Sequence, residues 1–216
     1  MVRGQRKHHA TREEAEETKR TILLVAQRLF MEYGYRAVST RQLADACGLT
    51  QPALYHYFAD KQDLYVAMVL DEVAKLKAAL ERIAGRHEGI DDRLRRAVTY
   101  LLSNTQHDLS MMLHDIRHEL SVERQAVLDE AFQTGVISPI ASIFRDGLEQ
   151  GLLRDSQHGG IEAYAATYLL MNLVSHYTRR VTTSTSHTGQ TLYGGSDAER
   201  ADLIVRVLLY GLAYPL

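Results

Sequence analysis

The sequence predicts an all-α protein: an N-terminal three-helix helix-turn-helix domain followed by a larger helical bundle, with about nine helices in all. Three observations predict it. Apolar residues recur at spacings of three and four through most of the chain, and period-two alternation is hard to find. Proline is scarce, with three residues, Pro52, Pro139 and Pro215. Two short segments with helix-start signals flank Gly48, and two short helices joined by a tight turn make a helix-turn-helix candidate.

The first helix is expected to start near Thr18. Its apolar stripe is Ile22, Val25, Ala26, Leu29, Phe30 and Tyr33, and Gly34 follows as a C-terminal stop. Ser39 with Gln42 three residues later forms a capping box for a short helix whose inward face is Leu43, Ala44 and Cys47. Gly48 ends it. Thr50 caps the next short helix, and Pro52 falls in its first turn, where a missing N–H costs little. Asp60 caps a long helix from Lys61 to about Ala84, broken by GRHEG. Five more helices are expected near 91–108, 109–120, 122–151, 160–181 and 197–213, with Pro139 kinking or splitting the third of these. A polar loop, TTSTSHTGQTLYGGS, separates the last two.

The domain reading is a charged arm over 1–17, a helix-turn-helix domain over 18–62 and a larger domain over 63–216. Residues 1–61 hold ten Lys/Arg against seven Asp/Glu, and the remainder holds fifteen against twenty, for a net −2. Arg3, Arg6, Lys7 and Arg12 lie in a stretch without acids, which reads either as a solvated tail or as a phosphate-contacting arm. The single cysteine, Cys47, permits no internal disulfide and fits a reducing compartment. The N-terminus lacks the apolar core of a signal peptide, and no apolar run approaches the roughly 20 residues of a membrane span. A soluble cytoplasmic protein is expected, with no membrane partner.

The stretch TQPALYHYFADK carries most of the functional information. Side chains on a helix rotate by about 100° per residue. Leu54 and Phe58 therefore share an inward seam. Pro52, Ala53 and His56 fall on the other side, with Tyr55 and Tyr57 on the flanks. An outer face of small residues can approach a major groove closely, while flanking phenols and Lys61 can reach phosphates. The opposing reading buries both tyrosines against neighbouring helices.

These residues sit in STRQLADACGLTQPALYHYFADKQDL, which resembles the DNA-binding motif of the TetR family of bacterial transcriptional regulators. The resemblance runs over roughly residues 18–66. It comprises the LF-x3-GY end of the first helix (Leu29, Phe30, Gly34, Tyr35), TRQLA, the A-x-x-x-G-L turn, LYHYF and Lys61. It implies that Thr40 and Arg41 open the second helix at the DNA. Gln51, Pro52 and Ala53 would face base edges, and Tyr55, His56, Tyr57 and Lys61 would contact the backbone or nearby bases. Chemically, Arg41 suits guanine, Gln51 suits adenine, and Ala53 suits a thymine methyl.

The resemblance further implies a sequence-specific regulator, a repressor released from a palindromic double-stranded operator by a small-molecule effector. It also implies a C-terminal bundle that binds the effector and dimerises. Independently, the last two helices are apolar over much of their circumference (Ile161, Leu169, Leu170, Leu173 and Val174; Leu203, Ile204, Val207, Leu208 and Leu212). Such helices need burial on more than one side, which a homodimer through this pair provides. Candidate effector residues mix apolar bulk with single polar groups: Tyr100, Asn104, His107, Met111, His114, Phe132, Phe144, Tyr164, Tyr168, Met171 and Asn172. They point to an apolar or aromatic small molecule. The stripe Tyr164, Tyr168 and Met171, at helical spacing, reads as core more readily than as pocket.

His107, His114 and His118 fall on related faces, and the last two have a chelating spacing. With no cysteine ligand and no HExxH nearby, the expectation is no metal and no cofactor. An enzyme is not expected either, since the chain has no paired-carboxylate motif, nucleophile–base signature or phosphate loop. A protein–protein adaptor that has lost DNA binding is disfavoured because Arg41, Gln51, Tyr55 and Lys61 all remain.

Overall fold

The computed structural model describes residues 3–104, 109–183 and 195–212, and the regular elements there are helical. They are α1 (Arg3–Tyr33), α2 (Thr40–Ala46), α3 (Gln51–Tyr57), α4 (Lys61–Ala84), α5 (Ile90–Asn104), α6 (Leu109–Glu119), α7 (Val122–Phe132), α8 (Ser138–Glu149), α9 (Ala163–Thr183) and α10 (Asp197–Leu212). A π-helical turn, Gln133–Ile137, joins α7 to α8 without a break. Counting that run as one gives nine helices among the described residues.

The helix starts follow local chemistry. The Ser39 hydroxyl accepts the Gln42 N–H, and the Gln42 side chain accepts the Ser39 N–H at 2.8 Å, which closes the capping box at α2. Thr50 caps α3 by accepting the Ala53 N–H. Asp60 caps α4 by accepting the Asp63 N–H at 2.7 Å, and Asp63 accepts the Ala59 N–H in return. Gly48 carries a φ of +68° at the end of α2, a conformation that favours glycine.

Two elements differ from expectation. The first helix begins at Arg3, well before Thr18. The ATREEAEE stretch over residues 10–17 holds no glycine or proline and consists mostly of good helix formers. Tyr33, placed on the inward stripe of that helix, is 56% exposed. The third of the later helices is neither kinked apart nor simply split at Pro139. The chain instead widens into a π turn just before it, and Pro139 lies in the first turn of α8. Most of the expected polar loop, 184–194, lies outside the described residues.

The chain forms two compact units, drawn differently from the 18–62 and 63–216 division. One comprises residues 1–72 and 111–128. Its core joins Ile22, Ala26 and Phe30 of α1 to Leu43, Leu54, Phe58, Leu64 and Met68. Phe30, Tyr35 and Tyr65 pack as an aromatic trio, with centroids 5.1–5.7 Å apart. The second comprises residues 73–110 and 129–216. Leu80, Leu94, Val98, Ile140, Phe144, Leu170, Val174, Ile204 and Val205 form its core. Buried Arg93 ties three helices there, donating to the Ala84 carbonyl at 2.8 Å and to Asp146 at 2.6 Å.

Candidate nucleic-acid interface

The surface of α3 divides as helical phase predicts. Leu54 and Phe58 are buried, while Pro52, Tyr55 and His56 are exposed, and Gln51, Ala53 and Tyr57 are half-buried. A hydrogen-bonded knot locks α3 onto α2. The Thr40 hydroxyl accepts from Gln51 Nε2 at 3.0 Å and from the Tyr55 hydroxyl at 3.3 Å. Two groups assigned to DNA contact therefore share one anchor, which fixes the Gln51 amide before any ligand arrives. Arg41 stands exposed, with only a long 3.9 Å pairing to exposed Asp45. That pairing is too weak to hold the guanidinium away from another acceptor.

Lys61 is held differently. Its ammonium lies 4.0 Å from the centroid of the Tyr35 ring, a cation–π contact. Burial lowers its pKa from the usual lysine range, and the Glu119 and Asp115 carboxylates oppose that shift. Tyr35 itself is anchored through its backbone N–H, which donates to Asp115 Oδ2 at 3.0 Å, and Arg36 pairs with Glu119. Asp60 Oδ2 accepts from Arg124 at 2.7 Å, and Gln62 accepts from the same guanidinium at 2.7 Å. Burial works to raise the Asp60 carboxyl, but the bonds from Arg124 and from the backbone outweigh it and hold the group below its ordinary value. The roles of Asp115 and Arg124 were not legible in the sequence, because each acts on residues 62 or more positions away.

The effector candidates do not converge. Phe144 is 1% exposed and belongs to the core. Phe132 and Met171 pack partly buried against the same core. Tyr164 and Tyr168 of the expected core stripe are exposed on α9 instead, and the Tyr168 hydroxyl donates to Gln133 Oε1 at 2.8 Å. Asn172 and Asn104 are exposed, each donating to the carbonyl four residues earlier, Tyr168 and Tyr100 respectively. His107 and the side chain of Met111 lie outside the described residues. An open groove of about 340 Å³ beside the π turn is lined by Glu81, Ala84, Gly85, Thr134, Ser138, Pro139 and Ser142, and by none of these candidates.

His114 is exposed on α6 and packs against His118 with ring centroids 4.4 Å apart. Asp115 and Glu119, the carboxylates beside them, are turned to Tyr35 and Arg36. Among the described residues, no group of three or more His, Cys, Asp or Glu side chains gathers as a metal site would require.

A capped helix pair with one buried seam and an outer edge of small and phenolic residues has the form of a helix-turn-helix. Residues 22–68 match the family described as bacterial regulatory proteins, tetR family. The chain is 26% identical over 160 residues to the HTH-type transcriptional activator FasR of Mycolicibacterium smegmatis, covering 74% of this chain and 68% of that one. It is 28% identical over 116 residues to the HTH-type transcriptional repressor AcnR of Corynebacterium glutamicum, covering 53% and 61%. The alignments thus span about two thirds or less of these two relatives. The crystal structure of the TetR family transcriptional regulator PfmR from Thermus thermophilus superposes with a TM-score of 0.67 at 26% identity, covering 89% of this chain and 99% of that one. The match to the tetR-family description thus falls on the helix-turn-helix segment, the relatives are named transcriptional activators and repressors, and the chain is a DNA-binding transcriptional regulator. No helix among the described residues is long and apolar enough to cross a membrane.

Proposed function

We propose that the chain is a homodimeric repressor that binds a palindromic operator and leaves it when a small apolar or aromatic effector binds the C-terminal bundle. The observation that carries the reading is the division of α3 into a buried seam and an exposed edge, with Gln51 and Tyr55 pre-set on Thr40. In this reading Arg41, Gln51, Pro52 and Ala53 meet base edges. Thr40, Tyr55, His56, Tyr57 and Lys61 position the helix on the backbone or adjacent bases. The DNA-reading function belongs to 18–62, flanked by the basic arm of 1–17, and the effector and dimer functions belong to 63–216. The protein works in the cytoplasm, where its operator lies.

Dimerisation is supported by the apolar side chains that α9 and α10 leave exposed: Tyr164, Tyr168 and Leu169 on one, Leu203, Val207 and Tyr210 on the other. Leu203, Val207 and Tyr210 are spaced four and three apart, a single stripe. Pairing α9 and α10 of two copies buries both stripes, and a two-fold dimer suits a palindromic operator, whose half-sites call for recognition helices roughly 34–36 Å apart. For the effector, the candidates supported by packing against the bundle core are Phe132 and Met171. The ligand shifts operator occupancy only through its differential affinity for the two states. The test is selection of bound DNA from a random pool with and without a cell extract. A palindrome that is lost with extract supports a dimeric, effector-released reader. Enrichment of no sequence sinks the reading.

A further inference from the structure

Residues 115–124 lie outside the matched segment 22–68, yet they touch the DNA-reading unit at three points on either side of Lys61. Beneath it, the buried Asp115 carboxylate accepts the Tyr35 N–H, and the Tyr35 ring carries the Lys61 ammonium at 4.0 Å. Beside it, Arg124 donates one nitrogen to Asp60 and another to Gln62, the two neighbours of Lys61 in sequence. Gln62 Oε1 also accepts the Ser121 N–H at 3.3 Å. Asp60 simultaneously caps α4 through its other oxygen, so the same carboxylate serves both Arg124 and the first turn of that helix. Closing the set, Arg36, next to Tyr35, pairs with Glu119.

A burial as deep as that of Asp115, 7% exposed, is costly for a carboxylate unless neighbours compensate. Here the neighbours are a backbone N–H and the field of a lysine assigned to the DNA. A free lysine stem samples many rotamers, and ordering it before the ligand arrives removes that cost from binding. We infer that Asp115 and Arg124 are positioning residues for the Lys61 ammonium, Asp115 through Tyr35 and Arg124 through Asp60 and Gln62. The inference rests on the reading of Lys61 as a phosphate contact.

The test uses the full chain and an operator fragment taken from the random-pool selection. The readout is the slope of log affinity against log salt concentration, which tracks phosphate contacts and which general loss of stability does not move. Lys61→Met should flatten the slope by about 0.9 for each phosphate that the ammonium neutralises in the wild-type complex. Asp115→Ala and Arg124→Lys should each reproduce most of that flattening. Arg124→Lys keeps its charge but cannot bridge Asp60 and Gln62 as a planar fork does. Combined with Lys61→Met, neither should flatten the slope further. Asp115→Asn, which keeps an acceptor for the Tyr35 N–H, should restore most of the wild-type slope.

Wild-type slopes in Asp115→Ala and Arg124→Lys, beside a flattened Lys61→Met, overturn the inference, as do additive double variants. A wild-type slope in Lys61→Met shows that Lys61 is no phosphate contact and removes the reading beneath it. Should thermal melts show that Asp115→Ala does not fold, Arg124→Lys, whose parent side chain is partly exposed, decides alone.

Discussion

Gly135, in the π turn, sits against α4, and replacing it with alanine tests how tightly the two are fitted. Alanine is the better helix former by about 1 kcal/mol, so open space would make the change stabilising. Space is not open: a Cβ there would lie 2.7 Å from Val73 Cγ1 and 3.5 Å from both Lys77 Cβ and the Val73 carbonyl oxygen. Val73 is buried and β-branched, so its methyl has no alternative rotamer to move into cheaply. Overpacking of this kind costs about 1–3 kcal/mol, which leaves Gly135→Ala destabilising by up to about 2 kcal/mol.

Val73→Ala removes the obstructing methyls. In that background the added Cβ meets little, the propensity gain returns, and Gly135→Ala should stabilise by about 1 kcal/mol. The coupling between the two sites is then about 1–3 kcal/mol. Urea unfolding of the four chains, with unchanged slopes, measures it. If Gly135→Ala stabilised the wild-type chain by the full propensity gain, equally in both backgrounds, the close approach of α4 to the π turn would be refuted.

Other substitutions isolate single causes. Gly48→Ala adds a Cβ with nothing within 4 Å, so its cost comes from the +68° φ alone, about 1–2 kcal/mol, and Gly48→Asn should cost less. Equal unfolding midpoints for Gly48→Ala and wild type would contradict that. Burial pushes the Tyr35 phenol up to about 12 from 10.0, with help from the Asp60 and Glu119 carboxylates and against Arg124. A raised folded value keeps the stabilisation whole below about 10 and removes it as pH rises from 10 towards 12. Thermal melts across that range should fall less steeply for Tyr35→Phe; an identical fall would exclude the phenol. Arg41→Ala should weaken operator binding and relax preference at one base pair, which costs about 1–3 kcal/mol when mismatched, whereas uniform loss on all sequences in a binding titration would make Arg41 a phosphate contact only.

The helix-turn-helix was legible because its signals are local. Ser39 with Gln42, Thr50 with Pro52, Gly48 and Asp60 each act within four residues, and the phase of Leu54 and Phe58 follows from helical pitch alone. The knot of Gln51 and Tyr55 on Thr40 was not, since it depends on the angle between two helices. The clasp from Asp115 and Arg124 joins positions far apart in sequence, and no periodicity marks it. The α9 stripe failed as a core reading for a related reason. Period shows that Tyr164 and Tyr168 share a face, but not whether another helix of the same chain covers it. The π turn illustrates the same limit from the other side: Pro139 announces a disturbance, and the packing of Gly135 on Val73 accompanies the form it takes.

The central claim is that the exposed edge of α3 reads sequence. The direct measurement is the affinity of the purified full chain for its selected site and for a scrambled duplex of equal length, at one fixed salt concentration. The account predicts a ratio of about 10³ or more, reduced by Gln51→Ala through weaker binding to the selected site and little change on the scrambled one. Equal affinities for the two duplexes, or a ratio that Gln51→Ala leaves intact, would contradict it.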